Sequence, residues 1–245
     1  MDKAVAQYLE EKKDRLPFLY DWKFDEALAA EKFAIEFTGA NWFEKTLELK
    51  NHLRAQASTN THQHGVIATY FIRDWGGIKR FSRVDETLSL FSQHAGSPVA
   101  PVTFTPPFAR ISSWSKWASV VCPDWACIYD ARVAYSLNAI NYMNGAEHPI
   151  FPMPEGRNTR LRILDINTLL LTKRLESGES SDPKRLKQAH FIPDNQAYLQ
   201  YLTLVRNVST LLWDDTEHIH EVEMLLFALA DSDIYQDIFT QLARA

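Results

Sequence analysis

A mainly α-helical fold with little or no sheet is predicted by two features of this 245-residue chain: apolar residues that recur close to the helical turn, and a small set of helix breakers gathered into a few stretches. Only eight residues are glycine, and the prolines concentrate in residues 97 to 108 and 145 to 158. The length fits one large domain over 1–245 or two intimately packed lobes, and it suffices to bury a substantial core without metal or disulfide staples.

Taken in order, residues 25 to 37 are rich in good helix formers, with Leu28, Phe33 and Phe37 spaced near one turn. Residues 42 to 57 continue in that style. Val66 to Ile72 is a short apolar segment, helix or strand, that Gly76 and Gly77 break. Asp85 to Ser92 reads as a helix. The stretch with Pro98, Pro101, Pro106 and Pro107 must be irregular or extended, because proline lacks the N–H that a helix needs. Helices over roughly 112 to 122 and 130 to 144 follow, then a long loop from Gly145 to Asn158. Residues 161 to 171 are apolar and ambiguous, and 176 to 185 read as a mobile loop. Helices near 195 to 213, 215 to 230 and 233 to 243 close the chain, the second opened by a capping box at Asp214 and Glu217.

Composition is that of a globular protein, 46% hydrophobic and 12% aromatic, with a net charge of −5. The charge is uneven. Residues 157 to 187 hold eight basic groups (Arg157, Arg160, Arg162, Lys173, Arg174, Lys184, Arg185, Lys187) against four acidic, whereas residues 188 to 245 hold two against nine. A locally basic stretch in an acidic protein can meet a polyanion while the rest of the surface repels it; an ordinary solvated loop has the same composition. Cys122 and Cys127 are too few for a disulfide framework and make a poor zinc site, so they read as reduced, mostly buried thiols. No apolar run approaches the ~20 residues of a membrane span. The N-terminus, with Asp2, Glu10, Glu11 and Asp14, has no signal-peptide character, and a cytoplasmic location is expected.

The informative stretch is 110 to 143, RISSWSKWASVVCPDWACIYDARVAYSLNAINYM. On a helix starting near Ser112, Trp114, Trp117, Ala118 and Val121 share a face and Lys116 points roughly 200° from Trp114, which places its amine outside the core. On the next helix Val133, Leu137 and Ile140 form the buried stripe, and Asp130 stands at the first turn as an N-cap. The segments Ser115-Lys116-Trp117-Ala118-Ser119 and Ile128-Tyr129-Asp130-Ala131-Arg132-Val133 resemble the helix-hairpin-helix DNA glycosylases, especially their 8-oxoguanine branch, in which a lysine begins one helix and an aspartate the next. The resemblance covers about 35 residues of the 245. The glycine-rich hairpin that the family carries before the lysine is here PPFARISS, where Pro106 and Pro107 offer no N–H to a DNA phosphate.

The resemblance implies a two-lobed helical bundle around a cleft, a DNA glycosylase activity, and catalytic roles for Lys116 and Asp130. Breaking an N-glycosidic bond builds positive charge on the sugar, which a fixed carboxylate at Asp130 would stabilise. A neutral amine at Lys116 would attack the anomeric carbon and permit strand cleavage; if the amine stays protonated, water attacks instead. An extruded base needs aromatic walls, for which Trp75, Trp114 and Tyr129 are the candidates. The Arg73-Asp74-Trp75-Gly76-Gly77 turn either admits close approach of a ligand or DNA or simply connects helices. Arg132, Arg157, Arg160, Lys184, Arg185 and Lys187 are the candidate DNA contacts. His218 and His220 diverge by about 200° on a helix, and His62 and His64 lack an accompanying ligand set, so no catalytic metal and no cofactor are expected. The expected partner is double-stranded DNA containing a modified base, an oxidised purine or a hypermodified viral base, met by a monomer and without a membrane. The alternative is a catalytically silent helical DNA-binding or interaction module.

Overall fold

The computed structural model describes residues 1–101, 104–155, 161, 163–175, 184–185 and 190–244. The described residues are mainly helical, as expected, and their only bridge is an isolated parallel pairing of Ile150 with Phe191. None of the helices is long and apolar enough to cross a membrane. The chain divides into two compact units: Asp14–Pro106 with Arg110–Ile128, and Met1–Lys13 with Pro107–Ala109 and Tyr129–Ala245.

In the first of these, α2 (Leu16–Leu19) and α3 (Glu26–Phe33) precede the long α4 (Trp42–Thr59). Asp25 caps α3 by accepting from the Leu28 N–H at 2.9 Å. The helix stops at Phe33, short of the predicted Phe37, because Ala34 adopts the left-handed conformation at φ 53°. Asn41 caps α4 through the Glu44 N–H at 2.9 Å, and the Glu44 carboxylate reaches back to the Ala40 N–H at 2.6 Å. Thr46, Leu49, Lys50, Leu53 and Ala57 form the buried stripe of α4. Then come α5 (His64–Thr69), a π-helix (Tyr70–Trp75), α6 (Val84–Ser89) and α7 (Ile111–Val121); α4 and the π-helix both pack on α7. The proline-rich segment is irregular, as predicted, and its buried Phe104 sits edge-on to Phe91 and Trp125.

The second unit is built around α8 (Ala131–Met143), which packs on α1 (Asp2–Glu10), α9 (Ile166–Leu175), α11 (Ile219–Leu229) and α12 (Asp233–Leu242). Every residue of α8 from Val133 to Asn141 is buried; its serine and asparagines are bonded internally, while the Tyr135 hydroxyl makes no hydrogen bond among the described residues. The Ser136 hydroxyl donates to the Leu226 carbonyl at 2.6 Å, and Asn138 and Asn141 bond backbone groups of Phe151 and His148. α10 (Asp194–Trp213) presents Ala197, Tyr201, Val205, Val208 and Leu212 inward at helical spacing, and α1 adds Val5 and Leu9. Each buried Val or Leu among these contributes about 1.5–3 kcal/mol.

The predicted capping box at Asp214 does not form. Asp214 instead ends α10 in the left-handed conformation at φ 61°, and the carboxylate of Asp215 takes the Glu217 N–H at 2.9 Å.

Candidate active site

Lys116 lies in the second turn of α7, and the structure buries it, contrary to the helical-wheel expectation. Ten of the eleven α7 residues are buried, Ser112 being half-buried, so the helix has no solvent face to which a lysine can turn. The Lys116 ammonium group folds back along its own helix and donates to the Ser112 carbonyl at 2.9 Å.

The glycine turn that follows the π-helix meets this side chain. Gly76 has ordinary backbone angles, φ −81° and ψ −4°. An added Cβ there would lie 2.6 Å from Lys116 Cε, 2.7 Å from Lys116 Cδ and 2.7 Å from the Ile72 carbonyl oxygen. Gly77 has φ +70° and nothing within 4 Å of its position for a Cβ, so it is required by conformation alone. The close approach that Gly76 permits is thus that of a lysine stem. Sequence reading singled out this turn without finding its partner.

Asp130 is half-buried and caps α8, its Oδ1 accepting from the Arg132 N–H at 2.9 Å and the Val133 N–H at 3.1 Å. The expected N-cap role is therefore met. Among the described residues Oδ2 makes no hydrogen bond. Lys116 belongs to the unit that ends at Ile128, and Asp130 to the unit that resumes at Tyr129.

The three predicted base-binding aromatics are all interior. Trp75 stacks on Phe71, with centroids 4.2 Å apart and planes 11° from parallel, and meets the edge of Trp22. Its indole Nε1 is buried with no hydrogen bond among the described residues, as is the Tyr70 hydroxyl on the same π-helix, which burial holds well above the usual tyrosine range. Tyr70 went unnoticed in the sequence, where nothing marks a π-helix. Trp114 packs against Phe91 at 5.6 Å. Tyr129 is fully buried, donates to the Pro152 carbonyl at 2.8 Å and meets Phe108 and Tyr201 edge-on; burial raises its hydroxyl far above its ordinary value.

Of the basic candidates, Arg132 pairs with Asp231 at 2.9 Å and covers the Phe227 ring at 4.6 Å. Lys184 and Arg185 are exposed, and Arg157, Arg160 and Lys187 lie outside the described residues. Cys122 and Cys127 are buried thiols outside any disulfide, as predicted. Burial, with Asp124 nearby, pushes the Cys122 thiol up to about 12. The His64 imidazole lies 2.8 Å from the Ala57 carbonyl and edge-on to Trp117, which engages it structurally.

An open cavity of about 320 Å³ occurs in the α8 unit, walled by His148, Pro149, Phe151, Ile192, Leu199 and Leu204 among others, and it involves none of the residues that the sequence singled out. Among its polar groups, the Thr203 hydroxyl donates to the Leu199 carbonyl and the Asp2 carboxylate accepts from the Asn207 amide.

No protein-family model, no curated protein and no solved structure matches the chain.

Proposed function

We propose that the protein is a DNA glycosylase that extrudes a modified nucleotide and cleaves its N-glycosidic bond. The observation that carries this reading is the form taken by residues 111 to 143: a helix bearing Lys116, a short connection, and a second helix opened by the carboxylate of Asp130. That is the order of elements and residues implied by the resemblance to the helix-hairpin-helix glycosylases. A carboxylate whose Oδ1 is held by two backbone N–H groups is oriented before any substrate arrives, and its other oxygen can face the positive charge that develops on the sugar. Lys116 serves as the nucleophile of a lyase step, for which its amine must leave the Ser112 carbonyl and act in the neutral form. The substrate is double-stranded DNA carrying an oxidised purine or a hypermodified viral base.

The test is incubation with DNA panels bearing oxidised, alkylated and phage-type bases, followed by mass spectrometry of freed bases. Base release that Asp130→Asn abolishes, with DNA binding retained, is the expected result; no release from any duplex overturns the proposal. Borohydride trapping of a protein–DNA adduct, lost in Lys116→Gln, identifies the lyase form.

A second reading, a catalytically silent helical DNA-binding or interaction module, is favoured by the bond of the Lys116 amine to its own helix and by the core positions of Trp75, Trp114 and Tyr129. It predicts no abasic product and binding indifferent to Asp130→Asn.

A further inference from the structure

We infer that Gly76 is a positioning residue for Lys116: the end of the π-helix forms a notch, bare of any side chain, that seats the lysine stem and so fixes where its amine lies. The inference rests on the reading of Lys116 as the reacting amine and goes beyond it by naming what places that amine.

Two independent features of the backbone point here. The first is the division of labour between adjacent glycines. At Gly77 the positive φ demands glycine and no atom approaches. At Gly76 the backbone suits any residue, yet a Cβ would fall inside the contact distance of Lys116 Cε and Cδ and of the Ile72 carbonyl oxygen. The requirement at Gly76 is therefore room for a neighbour. The second feature is the π-helix. Its wide final turn is closed by the Ile78 N–H, which reaches back to the Ile72 carbonyl at 3.2 Å, and the helix packs on α7. Such turns are rare and frequent at functional sites. Because the Ile72 carbonyl also borders the Gly76 position, a methyl group there cannot move toward the π-helix and must displace the lysine.

A lysine side chain ordinarily samples many rotamers. Pinned over a bare Cα at its Cδ and Cε, that of Lys116 has its stem held in place while its tip leaves the Ser112 carbonyl to react. A reacting group has to be held close to its productive geometry, and remote displacements of about 1 Å can lower a rate roughly 100-fold.

The test uses the full chain labelled with [ε-13C]lysine, the Lys116 resonance being assigned by its loss in Lys116→Arg. Gly76→Ala is expected to shift that resonance and its titration midpoint, whereas Gly77→Ala, which strains the backbone without touching the stem, leaves both where they are in the parent protein. Equal effects of the two variants, or none from Gly76→Ala, overturn the inference. Should Gly76→Ala fail to fold, a nuclear Overhauser contact between the Lys116 ε protons and the Gly76 α protons of the parent protein takes its place, and absence of that contact overturns the inference. Borohydride trapping on the DNA panel is the functional arm, with a roughly 10- to 100-fold loss expected in Gly76→Ala. The two failures are distinct. A moved Lys116 resonance with no base released by the parent protein overturns the glycosylase reading and leaves the placement intact; base release with an unmoved resonance does the reverse.

Discussion

Asn138 and Phe151 exchange two hydrogen bonds: the Asn138 amide donates to the Phe151 carbonyl at 2.8 Å, and the Phe151 N–H donates to Asn138 Oδ1 at 2.9 Å. One turn further along α8, Asn141 does the same for His148, at 2.8 and 3.1 Å. Two side chains of one helix thus replace a missing strand for a buried, irregular segment.

Replacing Asn138 by Leu keeps the branched shape and leaves a buried N–H and a buried carbonyl unpaired. Each costs about 1–3 kcal/mol, so a loss of about 2–6 kcal/mol is expected as a lower urea midpoint at unchanged slope. A loss below about 1 kcal/mol contradicts the pairing.

Asp130 separates capping from chemistry. Asn retains an oxygen for the Arg132 and Val133 N–H groups, so Asp130→Asn is expected to melt close to the parent protein while base release is lost. Asp130→Ala loses the cap as well and is expected to be less stable by about 1 kcal/mol. Equal activity of Asp130→Asn and the parent protein refutes the catalytic role; equal stability of the Ala variant refutes the capping role.

The Cys122 thiol, pushed up to about 12 chiefly by burial, is expected to resist alkylation in the folded protein at pH 8. Ionisation requires the thiolate to form in an apolar setting, so at that pH only about one thiol in 10⁴ is reactive. Peptide mass spectrometry after iodoacetamide should find Cys122 unmodified under native conditions and modified in urea. Rapid native labelling contradicts the burial.

Arg132 has a structural assignment that its candidacy as a DNA contact did not suggest. A double-mutant cycle of Arg132→Ala with Asp231→Ala is expected to show a coupling of about 1 kcal/mol in stability, as the pair is only partly exposed. The salt dependence of DNA binding is expected to stay unchanged in Arg132→Ala; a slope lower by about one unit assigns the guanidinium to a phosphate instead.

The helices over 42 to 59, 111 to 121 and 131 to 143 were legible because their apolar spacing carries the information locally. The cap at Asp130 was legible for the same reason. What escaped depends on packing. Helical spacing alone turns the Lys116 amine outward only if α7 has a solvent face, yet Ser113, Ser115, Ala118 and Ser119 are small enough for neighbours to close around α7, and a helix with a single charge among such residues reads as buried on all sides. The break at Ala34 is a left-handed conformation that alanine rarely adopts, so no residue type announced it; aspartate visits that region more often, but at Asp214 the capping-box spacing pointed elsewhere. The π-helix follows from tertiary contact and has no periodicity of its own in six residues.

Tyr70–Trp75 also constrains how the gene can vary. Removing any single codon within it would let the backbone relax to α-helical winding and would lose the wide turn that the Ile78 N–H closes on the Ile72 carbonyl. A homologue shortened by one residue here would still encode both glycines and the lysine, and would nonetheless lack the seat they form. Segment length, as much as the identity of the glycine, sets this seat.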